Sequence, residues 1–211
     1  MLQTFRAALF DLDGVVIDTE SQYSQFWGLM GHDYLPEVPD FANLIKGQTL
    51  TQIYEGWFSG KEALQAIITK RLNAFEQQMA YPYIPGVTAF LQQLHNAGIR
   101  TAIVTSSNVA KMNHVYEQHP EFQGFFDCIL TSEDFSASKP DPACYLLAAS
   151  KFGVKPSECV VFEDSRNGLL AARASGAYVV GLSTTLPLST ITPMADKIIP
   201  DFESFMEHGE I

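Results

Sequence analysis

The chain has 211 residues, enough for one domain of ordinary size or for a core with a small second lobe. Its net charge of −11 at pH 7 argues against nucleic acid and anionic membranes as partners, because a field of that sign repels both. An anionic substrate would need local cations to offset that field. The hydrophobic fraction of 46% and the charged fraction of 18% argue against a disordered chain.

Cysteine usage and apolar runs bear on the compartment. Cys128, Cys144 and Cys159 lie far apart and form no Cys-x-x-Cys pair, which predicts free thiols in a reducing compartment. The first residues show no apolar region followed by a cleavage site, and no apolar run approaches the roughly 20 residues of a membrane span. We therefore expect a soluble, cytoplasmic protein, and the sequence carries no signal for an oligomeric state.

Six short runs are apolar without a break, as expected of parallel strands that helices cover on both faces. Segments between several of them close on a glycine, which is typical of a helix end. The alternation predicts an α/β fold with a doubly wound, Rossmann-like parallel sheet. The predicted strands are 7–10, 101–105, 128–132, 159–163, 177–182 and 197–200, and the predicted helices between them include 86–98, 141–153 and 165–176.

Residues 17–85 break this alternation, because they contain no good strand and end in a long amphipathic stretch. We predict that they form an all-helical cap domain inserted after the first strand, and that 1–16 and 86–211 form the core domain. The alternative is that these helices simply cover the sheet. The tail, 201–211, predicts a short helix that buries Phe202, Phe205 and Met206.

The first strand ends in two aspartates one residue apart, Asp11 and Asp13, within the stretch FDLDGVVIDTE. In open α/β sheets, ligands bind beyond the carboxyl ends of the strands. Two carboxylates cannot both be ionised cheaply there unless a cation joins them, and an oxygen-ligand site with few carboxylates suits Mg²⁺. Gly14 would allow the tight turn that follows. The alternative is an ordinary solvated turn.

The second apolar strand ends in a cluster of small donors, Thr105, Ser106, Ser107 and Asn108. Hydroxyls and loop N–H groups of this kind bind phosphate oxygens. The same residues could instead cap the helix that follows, and both roles are compatible.

Two further segments add charged groups at strand ends. Lys139 lies in FSASKPDP and is followed by Pro140 and Pro142, which fix the turn and favour a positional role over that of a solvated lysine. Glu163 and Asp164 end another apolar strand, where Asp164 or Ser165 could also cap the next helix. Together the strand ends carry the groups for phosphoryl transfer: a carboxylate to attack phosphorus, a second carboxyl to move protons, and cations to neutralise the phosphoryl oxygens.

These motifs resemble the haloacid dehalogenase superfamily, and within it the β-phosphoglucomutase-like phosphatase branch. The four segments that carry the resemblance are DLDGVVIDTE, IVTSSN, SKPDP and VFEDSRNGLLAARASG. Together they are highly specific, and the resemblance spans the whole chain. The helical insert matches the cap that such proteins place after the first motif.

The resemblance implies roles for the acidic residues and for the metal. Asp11 would be the nucleophile and would also bind Mg²⁺. Asp13 would be the general acid and base, with its backbone carbonyl on the metal. Asp164, with Glu163 directly or through water, would complete the metal site.

The resemblance also implies how a phosphoryl group is bound. Thr105 would bind it with help from Ser106, Ser107 and Asn108, and Lys139 would bridge Asp11 and the phosphoryl oxygens. The cap would close over the site and select the substrate, and this group of enzymes suggests Tyr23 and Gly47 as the cap residues nearest to it.

The predicted function is a Mg²⁺-dependent phosphatase that acts on a small phosphorylated metabolite, with a sugar phosphate as the leading class. The alternative is a sugar phosphate mutase of the β-phosphoglucomutase type. Against the mutase, Tyr23 stands where those enzymes have a histidine, and the segment KGQTLTQIYE lacks their phosphate-binding arginine, although Lys46 could bind an anion. The presence of Asp13 argues against a dehalogenase, and the complete set of motif residues argues against a binding module with an inactive site.

Overall fold

A six-stranded parallel sheet organises the protein, and the strands lie in the order β3-β2-β1-β4-β5-β6. A computed structural model describes residues 5–207. The strand that comes first in the sequence, β1, lies in the middle of the sheet. The chain adds β2 and β3 on one side of it and β4, β5 and β6 on the other. The strands are Ala7–Phe10 (β1), Arg100–Val104 (β2), Cys128–Leu130 (β3), Cys159–Glu163 (β4), Tyr178–Leu182 (β5) and Lys197–Ile199 (β6).

Ten α-helices lie within residues 5–207, with short 3₁₀ turns between some of them. The first four lie between β1 and residue 85, and the others cover the two faces of the sheet. The helices are Glu20–Tyr34 (α1), Phe41–Leu44 (α2), Leu50–Trp57 (α3), Glu62–Glu76 (α4), Val87–Asn96 (α5), Val109–Gln118 (α6), Ala143–Phe152 (α7), Arg166–Ser175 (α8), Leu188–Ile191 (α9) and Phe202–Glu207 (α10).

The strand β1 is buried on both faces, which explains why its sequence is apolar throughout. Ala8 and Phe10 point into a core shared with α5 and α10, whereas Ala7 and Leu9 point into a second core shared with α7 and α8. The ring of Phe10 stacks on that of Phe162 at 4.7 Å between centroids. The sheet therefore separates two hydrophobic cores.

The register brings the predicted motif residues to one edge of the sheet. Phe10 lies opposite Ile103 on β2 and Phe162 on β4, so the chain leaves all three strands at the same level. The backbone N–H of Asp11 still donates to the carbonyl of Phe162 at 3.0 Å. Because all strands are parallel, this edge collects the carboxyl ends where ligands bind in such sheets.

Helices α1–α4 form a third hydrophobic cluster of their own, built from residues between Phe26 and Leu72. Two backbone hydrogen bonds pair the segments that enter and leave this region, Asp18 N–H to the carbonyl of Pro82 at 2.8 Å and Ile84 N–H to that of Val16 at 2.9 Å. Met79, Tyr81 and Ile84 pack into the sheet's own core. The division into a core of 1–16 and 86–211 and a cap of 17–85 stays a prediction.

The predicted fold class is confirmed, since the sheet is parallel, doubly wound and flanked by helices. In the tail, Phe202 and Phe205 are buried and Met206 is half-buried, while residues 208–211 of the predicted helix lie outside the described part. Within residues 5–207, no helix is both long and apolar enough to cross a bilayer.

Candidate active site

Lys139 lies at the centre of the site, although it follows no strand directly. Its ammonium donates to Asp11 Oδ1 at 2.7 Å, to Glu163 Oε1 at 2.7 Å and to the carbonyl of Val104 at 3.0 Å. A lysine has three donors, and all three are used. Although burial works against its charge, Asp11 and Glu163 raise the pKa of Lys139. The side chain therefore joins the ends of β1, β2 and β4.

Glu163 is completely buried and fully occupied by protein donors. Its Oε1 accepts from Lys139 and from the hydroxyl of Tyr145 at 2.7 Å. Its Oε2 accepts from the backbone N–H groups of Asp164 and Ser165 at 3.1 and 3.2 Å, and from the Ser165 hydroxyl at 3.2 Å. This arrangement holds Lys139 in place, and the expectation that Glu163 also binds a metal stays a prediction.

Asp164 is the least satisfied group of the site. Its Oδ1 is the one fully buried side-chain oxygen or nitrogen within residues 5–207 that lacks a hydrogen-bond partner. Its Oδ2 accepts a hydrogen bond from the hydroxyl of Thr185. Gly14, with φ +72°, lies so close that a β-carbon there would collide with the Asp164 carboxylate. The glycine therefore serves both the backbone turn and the close approach of Asp164.

The charges of this group do not balance. Asp11, Glu163 and Asp164 can bring one oxygen each to within 4.8 Å of one another, with Lys139 as their ammonium partner. Burial, with smaller contributions from Glu163 and Asp13, raises the pKa of Asp11 to about 7 despite Lys139. Burial and the neighbouring carboxylates also raise the pKa of Asp164 well above its usual range. A divalent cation fits, because it would offset the excess negative charge and give Asp164 Oδ1 a partner.

Asp13 has a different environment, in which every contact favours the charged form. Both of its carboxylate oxygens lie 2.6 Å from the ammonium of Lys111. The Ser107 hydroxyl donates to Oδ2 at 2.9 Å, and that of Thr19 donates to Oδ1. Although burial raises it, Lys111 and these hydrogen bonds hold the pKa of Asp13 below its usual range.

The four polar residues after β2 divide between two tasks. Thr105 is buried and its hydroxyl accepts from the backbone N–H of Ser107 at 3.0 Å, which forms a tight polar turn. Asn108 is exposed, and its side chain accepts from the N–H of Lys111 at 2.8 Å as the N-cap of α6. Ser106 is half-buried. Thr105 and Ser107 therefore lie at the sheet edge, whereas Asn108 caps the helix.

The loop before α3 lies directly on this sheet edge. A β-carbon on Gly47 would come within 2.8 Å of the Ser165 side chain, and the Asn167 amide donates to the carbonyl of Gly47 at 3.1 Å. The amide of Gln52 donates to the carbonyl of Lys139 at 3.0 Å. The predicted cap residue Gly47 is thus beside the carboxylate cluster, but it packs on protein in this state.

Tyr23 also lies at the site, but its hydroxyl is committed elsewhere. The ring covers the ammonium of Lys111 at 4.5 Å, while the hydroxyl donates to Glu76 at 2.8 Å within the helical region. The ring also packs against Phe75. Its expected contact with substrate stays a prediction.

Comparison with known proteins agrees with this geometry. A model of haloacid dehalogenase-like hydrolases matches residues 5–176. The chain belongs to the haloacid dehalogenase-like hydrolases. The family resemblance and the enzyme class read from the sequence motifs are therefore confirmed.

Individual members of this family resemble most of the chain. Hexitol phosphatase A of Escherichia coli is 34% identical over 83% of this chain and 82% of its own length. The β-phosphoglucomutase of Bacillus subtilis is 26% identical over 87% and 85% of the two chains. The structure of a hydrolase from Pseudomonas syringae superposes with a TM-score of 0.82 at 21% identity, covers 97% of each chain, and shows the shared fold.

Sequence reasoning missed four partners of the family's motif residues. Thr19, Lys111, Tyr145 and Thr185 each bind a carboxylate of the site. The sequence contains one indication that Lys111 has a special partner. It lies in the first turn of α6, where the helix dipole disfavours a cation. Such a lysine needs a nearby anion. Thr19 belongs to the motif segment DLDGVVIDTE, which gave it no role, and Tyr145 and Thr185 have no comparable signal.

Proposed function

We propose that this chain is a Mg²⁺-dependent phosphatase, which hydrolyses a small phosphate monoester through an aspartyl-phosphate on Asp11. The observation that carries the proposal is the unbalanced cluster around Lys139, with the unpartnered Oδ1 of Asp164. Such a site suits a cation and a phosphoryl group together, because each offsets the charge of the other.

Asp11 has the geometry of a nucleophile. Lys139 binds its Oδ1 at 2.7 Å, and among the hydrogen bonds of residues 5–207 none reaches Oδ2. That oxygen can attack phosphorus while Lys139 fixes the carboxylate and neutralises a phosphoryl oxygen. Thr105 and Ser106, with the N–H groups of their loop, would hold the remaining phosphoryl oxygens, with help from Ser107 and Asn108.

Asp13 would serve both proton transfers. Asp13 is charged in the resting site, but the negative charge of a bound phosphate monoester would favour its protonated form. It then gives its proton to the leaving oxygen as Asp11 forms its bond to phosphorus. It then takes a proton from the water that attacks the aspartyl-phosphate, which releases inorganic phosphate and restores both carboxyl groups.

A Mg²⁺ ion would be held by Asp11, Asp164 and the backbone carbonyl of Asp13, with Glu163 direct or through water. When bound, it supplies charge neutralisation for the transferred group and for the carboxylates around it. Glu163 would also act on Lys139, which its buried carboxylate holds in place.

The helical region 17–85 would act as the cap, which excludes water and selects the substrate. The names of the phosphatase relatives, hexitol phosphatase A among them, favour a sugar or polyol phosphate. Tyr23 and Gly47 would line the cap side of the site. The free thiols, two of them buried, suit a reducing compartment such as the cytoplasm.

Hydrolysis is favoured over the mutase reaction of the β-phosphoglucomutase relative. A mutase holds a bisphosphate and therefore needs a second anion site. The segment KGQTLTQIYE supplies only Lys46, whose ammonium lies 3.5 Å from the carbonyl of Thr185. The transferred phosphate is bound by Lys139 and Thr105, so a second site would depend on Lys46 alone, and hydrolysis of a single phosphate is the simpler reaction.

The test is phosphate release from sugar phosphates, nucleotides and p-nitrophenyl phosphate, with Mg²⁺ and with EDTA. We expect Mg²⁺-dependent release, and we expect Asp11→Asn to lower it by at least about 10⁴-fold because an amide cannot attack phosphorus. Folding of the variant is checked by circular dichroism. Substantial activity in Asp11→Asn would refute the nucleophile, and isomerisation of glucose 1-phosphate with a bisphosphate primer but no phosphate release would favour the mutase.

A further inference from the structure

Lys111 is unusual because it is almost completely buried, whereas a lysine on a helix that covers a sheet usually reaches solvent. Its residue is 4% exposed, and it lies in the first turn of α6, where the helix dipole opposes a positive charge. Burying an ammonium is costly unless a partner compensates it. The feature that compensates this lysine is Asp13, a residue of the proposed reaction.

The contact of Lys111 with Asp13 has two points. Its ammonium lies 2.6 Å from both carboxylate oxygens, so the contact restricts both position and rotation of the carboxylate. Ser107 and Thr19 add one hydroxyl donor to each oxygen. Four hydrogen bonds therefore define one orientation of the Asp13 side chain.

Helix α1 of the predicted cap covers the Lys111 ammonium with the ring of Tyr23. The ring of Tyr23 lies 4.5 Å from the Lys111 ammonium, and the Tyr23 hydroxyl is anchored to Glu76 of α4. An aromatic face stabilises a cation and keeps water from it. Lys111 is thus enclosed between the core helix that carries it and the cap helix that carries Tyr23.

We infer that Lys111 is a positioning residue, which holds the Asp13 carboxylate in place between the two proton transfers of the reaction. The inference rests on the proposed function. In the first transfer, the bond from phosphorus to the leaving oxygen breaks and the proton of Asp13 moves to that oxygen. The carboxylate so formed must stay in place until water gives it a proton and attacks phosphorus, and a two-point contact with an ammonium suits that interval.

The test compares Lys111→Met with the unchanged chain by rapid-quench kinetics on two substrates. We expect kcat to fall by about 10- to 100-fold on a sugar phosphate, a part of what general acid–base catalysis supplies. On p-nitrophenyl phosphate the leaving group needs no proton, so the first step should stay fast while hydrolysis slows. The aspartyl-phosphate should then accumulate as a burst of p-nitrophenol close to one per enzyme.

A double-mutant cycle with Asp13→Asn separates positioning from direct contact with substrate. If Lys111 acts through Asp13, Lys111→Met should change kcat by less than about twofold in the Asp13→Asn background. A loss as large as in the unchanged chain would overturn the inference. So would full activity of Lys111→Met while Asp13→Asn is impaired, whereas full activity of Asp13→Asn would overturn the proposed function instead.

Val115→Ala is the matched control, because Val115 is completely buried on the same helix. It should lower thermal stability and leave the burst as in the unchanged chain. If Lys111→Met does not fold, Lys111→Gln keeps an uncharged NH₂ donor group and offers the same test, with a smaller burst expected. A burst in Val115→Ala equal to that of the Lys111 variant would mean that the helix, not the ammonium, is responsible.

Discussion

Lys139 and Lys111 are both about 4% exposed, and both bind carboxylates at 2.6–2.7 Å, yet their surroundings differ in charge balance. Lys111 has one carboxylate, Asp13, and that pair is supported by hydroxyl donors. Lys139 has Asp11 and Glu163, with Asp164 close by, so negative charge is in excess. The balanced pair has all the partners it needs within the protein, whereas the unbalanced group requires a cation from solution.

The two lysines therefore have different roles at the same sheet edge. The pair of Lys111 and Asp13 contributes to stability, whereas the group around Lys139 serves the proposed reaction. Buried ion pairs contribute to stability only when their contacts are complete. The pair of Asp13 and Lys111 is complete, so it should stabilise the fold. The group around Lys139 is incomplete, so it should oppose folding until a cation binds.

The largest difference in the free energy of unfolding should appear when one carboxylate of the balanced pair and one of the unbalanced group are neutralised in separate variants, both measured in EDTA. Asp13→Asn should lower the free energy of unfolding by about 3 kcal/mol, because Lys111 loses its charged partner in a buried site. Asp164→Asn should leave that free energy unchanged or raise it, since it removes excess charge. Chemical denaturation of both variants measures the difference, and equal losses would contradict the contrast between the two groups.

Magnesium should then stabilise the unchanged chain and not Asp164→Asn. Binding to the folded state alone adds about 2.7 kcal/mol when Mg²⁺ is present at 100 times its Kd. Thermal unfolding across a Mg²⁺ titration, with EDTA as the reference, gives the shift in Tm. The variant serves as the matched control, and a Mg²⁺ response of normal size in it would place the ion elsewhere.

A smaller effect should come from the hydroxyl of Tyr145, which donates to the charged Glu163. Tyr145→Phe should cost about 1.5 kcal/mol, because hydrogen bonds to charged groups contribute more than neutral ones. Tyr54→Phe is the control in the helical region, where the hydroxyl bonds the neutral Thr69 and the carbonyl of Gln65. It should cost less than about 1 kcal/mol, and reversal of this order would argue against a charged Glu163.

The smallest effect concerns two thiols. Burial raises the pKa of both Cys144 and Cys159 to about 11, although only Cys144 lies near Lys139. The lysine fails to activate that thiol because burial and Glu163 oppose its effect. Alkylation by iodoacetamide at pH 8 should therefore be similarly slow at both, at least about 100-fold slower than after denaturation, and should rise with pH toward 11. Fast, selective labelling of Cys144 would show that the charge of Lys139 is not offset.

Most of the fold was readable because each central strand is apolar on both faces, so its run of residues is unbroken. The site was readable where its residues directly follow such a run, as Asp11, Thr105 and Glu163 do. Lys111 and Tyr145 lie inside helices whose patterns are ordinary. Their contacts depend on how α6 and α7 pack on the sheet, which local sequence does not encode.

The helical region 17–85 could be predicted only in part, for the same reason. Its helical content follows from amphipathic spacing, but the hydrogen bond from Gln52 to the carbonyl of Lys139 joins α3 to a loop 87 residues further along the chain. The short sequence separation between Tyr23 and the first motif predicted that Tyr23 lies near the site. The bond of its hydroxyl to Glu76 depends on the packing of α4, which the sequence alone did not predict.

The position of β1 between β2 and β4 has a consequence for how the chain is made. The strand ends at Phe10, and its second neighbour begins only at Cys159. Translation at about 5–20 residues per second leaves one side of β1 without its partner strand for roughly 7–30 s. During that interval an apolar strand lacks at least half of its hydrogen bonds, since its other neighbour begins only at Arg100, and this makes it a natural substrate for chaperones during synthesis.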